Sequence, residues 1–241
     1  MIIVRYDYLK NFFILMEEIL MIRNKLAGPS LILLGFIIHL LCVSAEAGAE
    51  ILVDDFKNGM RPGWETKIFQ KETIYKATVQ NSIPCIQASS KGTASGMIYK
   101  IEFDPKEHPV LNWQWKVDNI ISKGDARTKS GDDYPARIYV VFPSMFFWQT
   151  KILNYIWANK LPKGTSVKSS YSTNFAMIAV ESGRENLGRW QEYNMNIYKN
   201  YIDNFGTAPP DVGAVAIMTD TDNTGETASA CYGPIRFLPA D

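Results

Sequence analysis

Histidine is nearly missing from this sequence: 241 residues carry two. His39 lies in an apolar N-terminal run, so the remainder of the chain has only His108. One histidine cannot assemble a multi-His zinc site. A Ser-His-Asp triad would have to use His108, which precedes Pro109 in the turn-like "EHP". Cysteine is as scarce: beyond Cys42 there are only Cys85 and Cys231, too few for a Cys-rich metal cluster. An excess of one charge is absent too, with 25 Lys and Arg against 25 Asp and Glu and no basic cluster. That balance excludes nucleic acid as a partner, because neutralising phosphates takes a surplus of cations.

A hydrophobic run of membrane-spanning length is also lacking. The stretch from Leu31 to Val43 falls short of the roughly 20 apolar residues a spanning helix needs. Arg23 and Lys25 precede it and the small residues Ala45, Ala47 and Ala49 follow, which is the order of a secretory signal peptide. The expected organisation is an upstream extension over 1–20 with Met21 as the true start. A signal peptide over 21–49 follows, cleaved between Ala45 and Glu50, and then one domain over 50–241. The mature chain, without a stable membrane span, is expected in the periplasm or the medium. Leu41 before Cys42 speaks against a lipid-anchored cysteine. In an oxidising compartment Cys85 and Cys231 can pair. Both stand in apolar, strand-like segments, however, and two buried free thiols are the expectation.

What is present reads as an all-β domain. Short runs rich in Ile, Val, Tyr, Phe and Thr alternate with Gly, Pro, Asn and Asp. The pattern predicts eleven strands: Ile51–Phe56, Tyr75–Gln80, Cys85–Ser89, Gly96–Phe103, Leu111–Val117, Ala136–Phe142, Ile152–Ala158, Ala176–Ser182, Gln191–Ile197, Gly213–Thr219 and Ala228–Phe237. So many strands without an internal repeat predict a two-sheet antiparallel, jelly-roll-like sandwich. Gly206 and Pro209 act as stop signals for a helix over Tyr198–Phe205, and Ser144–Lys151 reads as a helical turn.

Strand alternation sorts the side chains into faces. In "LNWQWKV", Leu111, Trp113, Trp115 and Val117 share one apolar face, which marks the two tryptophans as core rather than a sugar platform. Asn112, Gln114 and Lys116 point the other way. In "ARIYVVF" the polar face holds Arg137 and Tyr139, and in "AMIAVES" it holds Glu181. If these strands share a sheet, Asn112, Gln114, Lys116, Arg137, Tyr139 and Glu181 form one outer face, with Asp133 and Asp220 on nearby loops. That set is the candidate binding surface for a glycan-like ligand, the alternative being an ordinary solvated face.

The stretch "MTDTDNTGE" sets three carboxylates around a glycine. Asp220, Asp222 and Thr224 fall at positions 1, 3 and 5 of a calcium loop, with Gly225 at 6. Position 12 is Cys231 where that loop needs Glu, and the flanks read as strands. A hairpin tip is the first expectation, since Asp, Asn, Thr and Gly suit a turn. A turn that also binds calcium through Asp220, Asp222 and Thr224 is the second.

Taken together, "GDDYPARIYVVF", "LNWQWKV", "VESG…LGRW" and "VAIMTDTDNTGETASACYGPIRF" resemble an exported bacterial family known as domain of unknown function 3047. The likeness spans nearly all of the mature chain and implies no activity. More loosely, Asp54, Asp55, Phe56, Gly63 and Trp64 near the start, "YIDNFG", and the closing "YGPIRF" resemble jelly-roll carbohydrate-binding and galactose-binding-like domains. In those domains the last strand reads Tyr-x-Asp-x-Ile and helps hold a structural calcium; here Pro234 stands in place of that Asp.

The leading expectation is an exported protein that binds a glycan-like ligand and performs no chemistry. One rival is a carboxylate-based carbohydrate-active enzyme, a glycoside hydrolase or lyase using Asp133, Glu181, Asp220 or Asp222. Another is an envelope interaction module that exposes "MFFW".

Overall fold

The computed structural model describes residues 48–240; the upstream extension and all but the last two residues of the expected signal peptide lie outside the described residues. The chain runs through β1 (Ile51–Asp54), β2 (Trp64–Gln70), β3 (Ile74–Gln80), β4 (Ile83–Lys91) and β5 (Ala94–Phe103). It continues with β6 (Val110–Val117), β7 (Arg137–Phe142), β8 (Lys151–Ala158), β9 (Ser166–Lys168) and β10 (Phe175–Ser182). The last elements are β11 (Gln191–Asn196), α1 (Ile197–Phe205), β12 (Val212–Asp220) and β13 (Thr227–Leu238).

Two sheets pack face to face. One has the order β11-β6-β13-β4-β3, and the other β2-β5-β12-β7-β8-β10-β9. The strand β13 is long enough to serve two partners along one edge: Thr227–Tyr232 pair with β4, and Ile235–Phe237 pair with β1. All pairings are antiparallel except β8 with β10. The chain leaves β8, places β9 at the outer edge, and returns to insert β10 between them, so two reversals leave β10 parallel to β8.

All eleven expected strands form, and β2 and β9 are additional. "WETKIFQ" of β2 lies on an edge and is mostly part-exposed, so its alternation is blurred. A three-residue edge strand such as β9 has too few positions to show a period. The helix α1 begins where the Asn196 Oδ1 accepts the Lys199 N–H at 2.7 Å, an N-cap. It ends at Gly206, whose left-handed conformation (φ 74°) lets its N–H reach the Ile202 carbonyl.

The core lies between the sheets. Trp113, Trp115, Ile138, Val140, Trp157, Val180, Ile217 and Tyr232 are all buried in one apolar cluster, as the strand parity requires. The seven-stranded sheet is covered on its outer side as well. There Ile98, Val141, Ile152, Ala214 and Ala216 form a second apolar cluster under Phe147 and Phe175. The central strands β8 and β12 are therefore buried almost end to end.

Cys85 and Cys231 form a disulfide, with Cα atoms 5.8 Å apart, which corrects the expectation of two free thiols. The reason is register: Cys231 lies opposite Gln87 and Tyr232 opposite Ile86, so Cys85 and Cys231 are diagonal neighbours on adjacent strands. Sequence alternation puts both on the non-core face but says nothing of which strands pair.

Candidate functional site

The expected outer face does not form. β6 belongs to the six-stranded sheet, while β7 and β10 belong to the other. Asn112, Gln114 and Lys116 therefore lie on the far side of the sandwich from Arg137 and Tyr139. Asn112 is occupied by its neighbours there, its Nδ2 donating to Glu192 Oε1 and Asn194 Oδ1, each at 2.8 Å. Lys116 Nζ approaches Asp118 at 3.8 Å.

Glu181 is separated by a different cause. A bulge in β10 sets both Val180 and Glu181 against Trp157, which breaks the alternation. The Glu181 carboxylate turns away from Arg137 and accepts hydrogen bonds from Lys163 Nζ (2.8 Å), Asn186 Nδ2 (3.1 Å) and Tyr193 Oη (3.1 Å). Burial alone pushes it up, but Lys163, the Ser182 N–H and Asn186 outweigh that and hold it below the usual carboxylate range.

Arg137, Tyr139, Asp133 and Asp220 do come together, at the start of β7. The Arg137 Nη2 donates to Asp220 Oδ2, and the guanidinium lies over Tyr134 and Tyr139, 5.0 and 5.3 Å from their centroids. Tyr232 crosses from the opposite sheet to set this end. Its hydroxyl donates to the Met218 carbonyl at 2.6 Å and accepts the Arg137 N–H at 3.2 Å. Arg137 is only 2 % exposed and Asp220 not at all, so this is a sealed ion pair and not a rim open to a ligand. Burial, with Asp133, Asp222 and Asp132 nearby, drives Asp220 upward against the pull of Arg137; burial raises Asp132 also.

The stretch Met218–Glu226 is not a hairpin tip. β12 and β13 belong to different sheets, and 221–226 arch between them. Thr219 and Thr221 point one way and sew the sheets together through hydroxyls. Thr219 Oγ1 lies 2.9 Å from the Tyr232 hydroxyl of β13, and Thr221 Oγ1 lies 2.7 Å from Ser90 Oγ of β4. The arch itself is clamped by Asp133, whose carboxylate accepts the N–H groups of Asn223 (3.2 Å) and Thr224 (2.6 Å).

Asp133 joins Asp220 and Asp222 of the expected metal set. Oxygens of Asp133, Asp220 and Asp222 lie within 4.8 Å of one another. The Thr224 Oγ1 accepts the Glu226 N–H at 3.3 Å. Three such oxygens can take a hard cation or share protons.

At the other end of β7, roughly 17 Å away at the ~3.3 Å rise of a strand, a cleft of about 770 Å³ opens. Its walls include Ser144, Trp148, Gln149, Lys151, Asn174 and Tyr201. Phe147 tucks onto the outer apolar cluster and pins the loop, so its neighbours Phe146 and Trp148 project. Their rings stack at 5.0 Å, and Trp148 remains 53 % exposed. The Asn174 Nδ2 holds the loop by donating to the Trp148 carbonyl at 2.7 Å. In the sequence, "MFFW" reads as an exposed patch within the helical turn expected over Ser144–Lys151. Lys151, Asn174 and Tyr201 carried no local signal, because the fold alone gathers them.

A family model described as a protein of unknown function (DUF3047) matches residues 62–236. The chain belongs to that family. No curated protein matches this DUF3047 chain. Among solved structures it is similar to a family 30 carbohydrate-binding module of a cellulosomal cellulase from Clostridium thermocellum, with 9 % identity, TM-score 0.45, and 80 % of this chain and 99 % of that one covered. It is similar to a family 11 carbohydrate-binding module from the same organism, in complex with a mixed-linked tetrasaccharide (10 %, TM-score 0.41, 79 % and 96 %). It is also similar to the K1 adhesin domain of Lys-gingipain from Porphyromonas gingivalis (14 %, TM-score 0.40, 80 % and 100 %). At this level the likenesses say nothing about a DUF3047 ligand.

Proposed function

We propose that this is an exported protein that binds a glycan-like ligand in the cleft beside Trp148. The observation that carries the reading is the composition of that cleft. An exposed indole stacked on a second ring stands beside a hydroxyl (Ser144), two amides (Gln149 and Asn174) and an ammonium (Lys151). A pyranose ring has an apolar C–H face and a rim of hydroxyls, and it matches a wall of this kind. The volume lies within the ~300–1,000 Å³ of small-molecule sites. Export is supported by the signal-like N-terminus and by the disulfide, which belongs to oxidising compartments.

A carboxylate-based enzyme is the weaker reading, because Asp133 and Asp220 are closed to a sugar ring. The test is a glycan array probed with the purified protein, followed by titration of the hits against Trp148→Ala. Affinity is expected to fall by at least about tenfold, equal to ~1.4 kcal/mol, with unchanged thermal melting. Binding untouched by the substitution moves the ligand elsewhere.

A further inference from the structure

Two lysines near the cleft converge on one aromatic ring. Lys151 lines the cleft, and its Nζ lies 5.3 Å from the Tyr201 centroid and 5.1 Å from that of Phe205. Lys168 arrives from the edge strand β9, and its Nζ sits over the same Phe205 ring at 3.9 Å. The Lys168 ammonium also donates to the Asn204 carbonyl at 2.6 Å, near the C-terminus of α1. Lys57, Lys100, Lys116, Lys160, Lys163 and Lys199 each have a carboxylate within 4 Å. Among the described residues, neither Lys151 nor Lys168 does.

Two like charges over one ring repel, and the pairing has a visible effect. Burial and the charge of Lys151 both press Lys168 below its ordinary value. The aromatic faces and the helix end compensate in part. They supply partial negative charge only, and no carboxylate among the described residues lies within 4 Å of either ammonium.

We propose that the sugar bound in the cleft carries an acidic group, a carboxylate or a sulfate, received by Lys151 and Lys168. This rests on the reading of the cleft as a glycan site and adds the charge of its ligand. The acidic group would complete the ion pairs that the chain omits. The ring of the same sugar would lie on Trp148, which is exposed at the same cleft. The ordinary explanation for such lysines is that their stems cover aromatic surface while their heads stay in water. That explanation requires no preference for an anion, so affinity decides between them.

The purified protein is titrated with three oligosaccharides of equal length: neutral, hexuronate-bearing and sulfated. Titrations are run at low and at physiological salt, and repeated with Lys151→Gln and Lys168→Gln. At least one acidic ligand is expected to bind about tenfold or more tightly than the neutral one, and which of the two does so identifies the acidic group. The advantage should shrink as salt rises and fall several-fold in either variant. Melting curves check that the variants are folded. If neutral and acidic ligands bind alike, or the advantage survives both substitutions, the charge inference is overturned and the cleft reading stands. If none of the three binds while Trp148→Ala abolishes no array signal, both fail.

Discussion

Arg137 brings one positive charge to a place where Asp132, Asp133, Asp220 and Asp222 converge, and the surplus of carboxylates has a consequence for stability. Burial, with Asp133 nearby, pushes Asp222 up to about 6. Its unfolded value is about 3.9, so between those values the folded state holds a proton that the unfolded chain has released. Stability contributed here is therefore present near pH 4 and lost as pH rises through about 6, by on the order of 2 kcal/mol. Denaturant melts in a chelating buffer from pH 4 to 7 should show this decline, and Asp222→Asn should flatten it. A wild-type slope identical to that of the variant would assign the decline to other groups. At the same scale, Trp113 and Trp115 are wholly buried and touch edge to face at 5.4 Å. Replacing either with Ala should cost roughly 3–5 kcal/mol, read as a lower denaturant midpoint.

The elements owe their positions to a few links between sheets and strands. Cys85 and Cys231 join β4 to β13 across a separation of 146 residues, a long loop to close in the unfolded chain. Reduction, or the double substitution Cys85→Ala and Cys231→Ala, is expected to lower stability by roughly 2–5 kcal/mol. Equilibrium unfolding with and without reductant measures it, and an unchanged midpoint would make the bond dispensable. In the arch after β12 the alternation of strand residues persists into the turn. Thr219 and Thr221 bond inward to Tyr232 and Ser90 of the other sheet, while Asp220 and Asp222 face Asp133. One sequence of alternating Thr and Asp thus joins two sheets on one side and builds the carboxylate group on the other. The bulge in β10 has the opposite effect. One extra residue rotates Glu181 out of register with the rest of its strand, and no pattern in "AMIAVES" announces it.

For the whole molecule, the expectation to be checked is export. Produced with its native leader, the protein should appear in the periplasmic fraction with an N-terminus between Ala45 and Glu50 and with Cys85 and Cys231 oxidised. Full-length, reduced protein in the cytoplasm would overturn it. Strand positions, inward faces and the C-terminal stop of α1 were legible in the sequence by itself. These depend on neighbours two to four residues apart, and Leu111, Trp113 and Trp115 or Gly206 show their roles locally. The order of the strands was decided only in the tertiary structure. Alternation states which side a residue faces within its own strand, and it is silent on which sheet receives that strand. Hence Gln114 and Arg137, alike in parity, ended on opposite sides of the sandwich, while Cys85 met Cys231. Trp148 with Lys151, then Lys168, then Tyr201 come from three separate segments and gather at one end only when the strands and α1 have packed. Long-range packing of apolar surface made those choices, and no short window of residues encodes it.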